Sequence, residues 1–584
     1  MFSRRKSRRV RVPLGVIAVL LVVSTALVVA STGSSVNGNL FKTQHGTFAN
    51  GKTIPHPSGA TEVAWDEERQ QAGDAQSSVG SDTPPDASAS AIGCANRGSA
   101  TNPRANQDCT LRRQAEEQIA VNPLDSTNII VGQNDSRIGF NHCGFDYSLD
   151  TGARWGDGIP PYYQHINPGT GHTYDAASDP NVTFSGTGRA WYSCVVFDVF
   201  TNASGLFASP STPALKGSAY SNIPAGASNF VVAETNDGHT FYDKQFMAGD
   251  PRAGHEEAYI TFTVFVADQK CSIGNNPGAY CSSEIFYSKW DPATKDWTTP
   301  VNVSGSSSTL CVGGDTFDKK ADPSACNFNQ GSMPVVNPSD GSVYVVWNNG
   351  NTPTFLNQQL GRRINTDGTM GPVVKVGQDE ESNVALCDFG RGPEECVKSL
   401  NVRTNDFPAI AVDPTNANHL VAVWQDSRGA ASGSGLYKVV VSESTNGGQT
   451  WSDASGGGTT IVGSAGQALF EPSVAITQSG RIAVSFYKAN AYAGTAVGGG
   501  TFGYDVAYKS GSSWVQQLVS DSSTLPGPQA NASQSGFLGD YSSIAASTAG
   551  GSSVVYPVWS DTRNSSSAGP DEDVFSASFT VPAP

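Results

Sequence analysis

The chain has 584 residues, with 36 Lys and Arg against 52 Asp and Glu, a formal net charge of −16. So acidic a surface repels phosphate backbones and excludes nucleic acid as a partner. The 63 glycines, 33 prolines and 15% charged residues suit short strands joined by many turns rather than long helices.

Residues 1–30 open with a dense basic cluster, Arg4-Arg5-Lys6-Ser7-Arg8-Arg9, followed by an apolar run from Leu14 to Ala30. This pattern is an export signal. Val28-Val29-Ala30 offers small residues for cleavage, which is the preferred reading; the alternative is that residues 14–30 stay as a membrane anchor. A secreted or cell-surface location follows from either. Residues 31–106 are rich in Ser, Gly, Thr, Asp and Pro without periodicity, and read as a low-complexity linker.

From residue 107 to 584 the chain repeats itself. Gln118-Ile-Ala-Val-Asn-Pro through Asn134-Asp-Ser-Arg137 returns as Ala409-Ile-Ala-Val-Asp-Pro through Gln425-Asp-Ser-Arg428. Each copy has an apolar strand, a small turn and a second strand. Strand pairs of this kind start at Glu117, Asp179, Asp243, Ser332, Asp406, Glu471 and Asp540. Spacings of about 60 to 90 residues leave room for two further strands per unit, which predicts four-stranded antiparallel propeller blades. The expected fold is therefore an all-β propeller of six or seven blades, seven being preferred. After the last pair only Val574 to Val581 remains, so a segment near Cys109 to Gln114 is expected to supply the closing strand.

Ten cysteines fall in the exported part: Cys94, Cys109, Cys143, Cys194, Cys271, Cys281, Cys311, Cys326, Cys387 and Cys396. No Cys-x-x-Cys pair is present, and in an oxidising compartment the expectation is five disulfides between sequence neighbours, Cys143 with Cys194 joining two repeats. His142, His165, His172 and His255 sit in loops, where packing is the simpler role than metal binding. Gly498-Gly-Gly-Thr-Phe-Gly503 precedes a strand rather than a helix, which makes it a loop and not a dinucleotide site. No cofactor or metal is expected. A single-chain monomer is the expected state.

Between the strand pairs lie Ser148-Leu-Asp-Thr-Gly-Ala-Arg-Trp155, Ser444-Thr-Asn-Gly-Gly-Gln-Thr-Trp451 and a degenerate Glu234-Thr-Asn-Asp-Gly-His-Thr-Phe241. In these turns Asp or Asn caps, Gly takes the positive φ and the aromatic packs between sheets. With the strand pairs, this resembles the Asp-box, or bacterial neuraminidase (BNR) repeat, of the sialidase superfamily across roughly residues 115 to 581. The resemblance implies a sialidase-like propeller with its Asp-boxes on the face opposite the active site. The family's sialidases use three arginines on a substrate carboxylate, a Tyr nucleophile paired with a Glu, and an Asp acid/base. The Arg-Ile-Pro type of motif that they carry near the start is missing here.

On the opposite rim lie the carboxylates that open the strand pairs, Glu117, Asp179, Asp243, Asp406, Glu471 and Asp540, with Asp135, Asp426 and Asp561 closing three of them. Arginine can clamp a carboxylate in two bonds, and paired acids share acid with base or nucleophile work. The candidate catalytic residues are thus Asp540, Tyr541, Glu471, Asp426 and Asp561, and the candidate substrate-binding residues Arg137, Arg428 and Arg563. Recurrence of Asp-x-Arg at one repeat position also fits salt bridges that hold each blade together. The expected function is an exo-acting glycoside hydrolase on extracellular carbohydrate, the alternative a non-catalytic propeller that binds glycans or proteins.

Overall fold

The computed structural model describes residues 55–65, 98–110, 112–221, 230–273, 276–312, 322, 324–352, 356–389, 393–490, 499–526, 537–563 and 572–582. The leader at 1–30 lies outside them. Among the described residues no helix is long and apolar enough to cross a membrane.

Each predicted strand pair forms the first two strands of an antiparallel sheet. Blade 1 runs Gln114–Asn122, Asp125–Asp135, His142–Ser148 and Gly156–Gly158 in spatial order. The later blades open with Ala176–Phe184, Thr240–Gly249, Asn329–Val336, Ala409–Asp413, Ala468–Ile476 and Ser543–Ala546. These seven first strands touch in a closed cycle, the last against the first. That cycle makes the fold a β-propeller, with the first strands around the axis. An eighth, three-stranded sheet, Leu386–Asp388, Pro393–Val397 and Val402–Arg403, is inserted between blades 4 and 5.

Hydrophobic side chains fill the spaces between blades. Trp191, Trp347, Trp424 and Trp559 are fully buried, the last three at one repeat position. The turns at 148–155 and 444–451 share a hydrogen-bond set: Ser148 and Ser444 accept from the N–H of Gly152 and Gly448, and Asp150 and Asn446 accept from the N–H of Arg154 and Thr450. Both join the third and fourth strands of a blade. The degenerate turn at 234–241 is placed differently. It leads from the last strand of blade 2 into the first of blade 3, with Asp237 accepting from the N–H of His239 and Thr240.

Blade 7 is closed from the N-terminal side, but by residues 103–106 rather than by the expected segment near Cys109 to Gln114. Arg104 bridges Phe575, Ala105 N–H donates to Val574 O (2.7 Å) and Ser576 N–H to Pro103 O (3.1 Å). Of the expected segment, Gln114 begins blade 1 and also donates its N–H to Glu572 O (2.9 Å) beside the third strand of blade 7. Residues 98–106 of the expected linker thus carry part of the ring seam.

Disulfides join Cys143 to Cys194 across blades 1 and 2, Cys271 to Cys281, Cys311 to Cys326 and Cys387 to Cys396. Cys109 is also disulfide-bonded; Cys94, its expected partner, lies outside the described residues. Four such bonds fit a protein of an oxidising compartment.

Within the expected linker, residues 55–65 are buried throughout and helical from 59 to 65. Trp65 packs edge-on against Phe197 and Phe241, and Gln330 Nε2 donates to His56 O (2.8 Å). Ser58 and Thr61 bond the Ser178 hydroxyl, at 3.2 and 3.0 Å. This segment therefore packs against first strands of the ring, where the axial charges are gathered.

Candidate active site on the ring axis

The first strands are not regular where they reach the axis. Their ladders slip between Ala115 and Gln118, Ser178 and Asn181, Gln330 and Met333, and Phe470 and Ser473, with a further slip opposite Asp243 in blade 3. At each slip one residue has positive φ: Glu116 (59°), Asp179 (55°), Lys244 (52°), Gly331 (63°) and Glu471 (48°). Such β-bulges re-aim a side chain. Glycine takes this backbone freely, but four of the five are charged residues that hold it at a cost, the kind of strain that collects at functional sites.

The bulges bring charge together across blades. Lys244 Nζ bonds Asp540 and lies 3.5 Å from Asp179 and 3.8 Å from Glu116, all four side chains being fully buried. Arg403, from the inserted sheet, approaches Asp540 Oδ1 at 3.1 Å and Glu394 at 3.5 Å. Gly59 N–H donates to Asp540 Oδ2 (2.8 Å), so the buried N-terminal segment touches the same carboxylate. Despite burial, Arg403 and Lys244 hold the Asp540 carboxyl below the usual aspartate range. It is ionised in this setting.

Glu471 is the reverse case. Its carboxylate oxygens are buried without a hydrogen-bond partner. Burial first, then the charges of Asp540, Glu117 and Glu116, push its carboxyl well above the usual range. Glu471 and Asp540 line one cleft with Tyr541, Phe246, Phe407, Met333 and Asn405, with about 450 Å³ of empty space, part of it open to solvent. Tyr541 donates to Pro180 O (3.3 Å) and packs edge-on against Phe246. Burial, with Glu116, Asp179 and Asp540 nearby, keeps its hydroxyl protonated well above the usual tyrosine range. The structure thus brings Asp540, Tyr541 and Glu471 together.

It does not bring the arginines together. Arg137, Arg428 and Arg563 lie in blades 1, 5 and 7, each bonded to the Asp two residues earlier, at 2.6 to 2.7 Å from Asp135, Asp426 and Asp561. A second acid meets each one: Asp157, Asp453 or Asp521. Asp426 and Asp561 are therefore engaged in holding Arg428 and Arg563, away from the Asp540 cleft. The same local pairing recurs at Asp250 and Arg252 in blade 3.

Sequence reading missed Lys244, Arg403, Glu116 and Glu394. Lys244 had a signal, since it follows Asp243 at the opening of the third strand pair, where other blades carry acids. Arg403 and Glu394 lie in an insertion outside the repeat, which offered none.

Buried carboxyls give the fold a pH dependence of definite sign. Burial raises Glu117 to about 8, and Glu572 also to about 8, from an ordinary 4.5. Between those values the folded chain holds protons that the unfolded chain has lost, so stability falls as pH rises through that window. Urea unfolding is expected to show the free energy lower at pH 8 than at pH 5 by roughly 3–4 kcal/mol for each of the two carboxyls, with a shallower slope in Glu117→Gln. A free energy that rises over this range would contradict the assignment.

No protein-family model and no curated protein matches the sequence. Among solved structures, the chain is similar to a Dyadobacter fermentans protein of unknown function, at 9% identity and a TM-score of 0.39, over 83% of this chain and 99% of that one. It is similar to the Hadza microbial sialidase Hz136, at 12% identity and a TM-score of 0.39, over 77% and 73%. A third is a Penicillium chrysogenum alpha-L-arabinanase, at 11% identity and a TM-score of 0.36, over 68% and 92%. At these identities and TM-scores the likenesses carry no argument about this chain, and its β-propeller rests on the closed cycle of first strands.

Proposed function

We propose that the axial cleft is the site of an exported glycoside hydrolase in which Glu471 is the acid and Asp540 the nucleophile or base. The observation that carries this reading is the opposite protonation of two carboxyls lining one cleft. Environments that push two acids apart are how one site runs acid and base chemistry together. The aromatic rings of Tyr541, Phe407 and Phe246 offer flat apolar surface to a sugar ring, and Asn405 a polar contact. The test is a screen of the full chain against labelled sialosides, arabinosides and uronides, with Glu471→Gln, which keeps the buried charge pairs intact, as control. Turnover that vanishes in the control supports the reading.

A second reading, a non-catalytic glycan- or protein-binding propeller, is favoured by one contact: Gly59 already occupies a hydrogen-bond position on Asp540. The two separate in Gly59→Leu. A Cβ at Gly59 would sit 2.1 Å from the Phe537 ring, so a side chain there displaces the segment from the axis. If the cleft is catalytic, this variant is expected to raise kcat/KM by roughly tenfold, equivalent to about 1.4 kcal/mol of released cover. Glycan binding without turnover in Gly59→Leu would favour the binder.

A further inference from the structure

Among the described residues, three groups of His and acidic side chains lie close enough to share an ion: His172, Asp175 and Asp198; Asp250, His255 and Glu257; and Asp379, Glu381 and Asp406. In the second, Asp250 is already matched by the Arg252 guanidinium, and in the first His172 is largely exposed. The third differs in kind. Its ligand oxygens lie within 4.8 Å of one another, about the separation of two oxygens on opposite sides of one Ca²⁺ at roughly 2.4 Å each. Neither Asp379 nor Asp406 has a cationic partner among the described residues.

A second observation points into this cluster. Gln359, fully buried, donates through Nε2 to the Asp379 carboxylate (Oδ2, 3.1 Å) and to the backbone carbonyl of Asp406 (3.0 Å), so its amide lies beside the cluster. Its Oε1 has no hydrogen-bond partner, and the same is true of Asp379 Oδ1, Asp406 Oδ2 and Asn357 Oδ1. The Asn357 amide nitrogen is bonded to Glu381. Buried oxygens left without donors are costly unless something positive meets them.

We propose that Asp379, Glu381, Asp406, Gln359 and Asn357 form a calcium site. The donors are all oxygen, without sulfur or imidazole, and mix carboxylates with amide oxygens, which suits a large, hard, flexibly coordinated cation better than zinc or magnesium. Asn357, Glu381 and Asp406 line a cleft of about 640 Å³ of empty space, part of it open to solvent, from which water can complete the coordination. Position gives the ion a purpose. Glu381 precedes the inserted sheet and Asp406 follows it, so a shared ion staples the base of the insertion to blade 4. That insertion carries Arg403 to Asp540.

The competing account is a proton shared between Asp379 and Asp406. Burial and the neighbouring Asp406 charge push the Asp379 carboxyl well above its usual range, a condition that either a proton or a cation relieves. Calorimetric titration of the EGTA-treated full chain with CaCl₂ decides between them. One Ca²⁺ per chain is expected, with a rise in the unfolding temperature, and Mg²⁺ is not expected to compete. Glu381→Gln, at a half-buried position, is expected to weaken binding at least about tenfold; Asp406→Asn abolishes it. The proposal is overturned if the wild-type chain binds no Ca²⁺ at about 1 mM, the weak end for extracellular sites. It is equally overturned if both variants keep the wild-type affinity.

Discussion

Glu471→Gln is expected to cut turnover by about 10²- to 10⁴-fold, the usual worth of a general acid, while leaving the fold's stability within about 1 kcal/mol. The asymmetry follows from its protonation. Glu471 is neutral in the folded chain, held so by burial and by the charges of Asp540, Glu117 and Glu116. Glutamine copies the size and neutrality of the protonated form but has no proton to give to a leaving group. Asp540→Asn should behave differently. Its carboxylate is bonded to Lys244, Arg403 and Gly59, and removing the charge leaves two buried cations short of a partner. Breaking a buried pair from one side costs about 3–5 kcal/mol. Turnover on whichever glycoside the screen identifies, and unfolding in urea, should be measured for both variants. Loss of turnover at unchanged stability in Glu471→Gln, with loss of both in Asp540→Asn, fits the division of labour. A Glu471→Gln chain that turns over at the wild-type rate would remove Glu471 from the mechanism.

The inner half of each blade was legible because it is under one repeated demand. A first strand must bury one face against its neighbours and carry a polar residue to the axis, which yields patterns such as Ala-Val-Asp-Pro and an acid at the opening. The outer strands meet no such demand, and pieces as short as Gly156–Gly158 and Thr459–Ile461 leave no periodicity to read. Residues 55–65 were hidden for another reason: their composition is that of a linker, yet Trp65 lies in the core and Gly59 against Phe537. Charge at the site was legible by sign at Asp540 and Glu471 but not by partner. The lysine that organises it, Lys244, replaces an acid at one repeat position, and Arg403 lies on an insertion. Repetition itself was informative about Arg137, Arg428 and Arg563. A residue needed once in a reaction has no reason to recur, whereas an ion pair that ties off a strand end does.

Arg104→Ala is expected to destabilise the chain by about 3–5 kcal/mol, although Arg104 does not line the cleft and in sequence belongs to what looks like a tail. Its side chain is fully buried, with Nη1 at 3.1 Å from Asp573 and Nη2 donating to Asp108 O (2.8 Å). Asn106 adds a bond to the same Asp573 oxygen at 2.8 Å. The backbone on either side of Arg104 completes the sheet of blade 7. A ring closed by hydrogen bonds between its two chain ends is only as stable as that seam, because the other blades are joined through the chain while this one is not. Truncating Arg104 leaves Asp573 buried and charged at the seam, and the ring opens there first. The companion variant separates charge from packing: Arg104→Met with Asp573→Leu removes both charges, keeps apolar volume, and should recover most of the loss. Urea unfolding of the two chains decides the matter. If Arg104→Ala stays within about 1 kcal/mol of the wild-type chain, the seam is held by the backbone pairing alone.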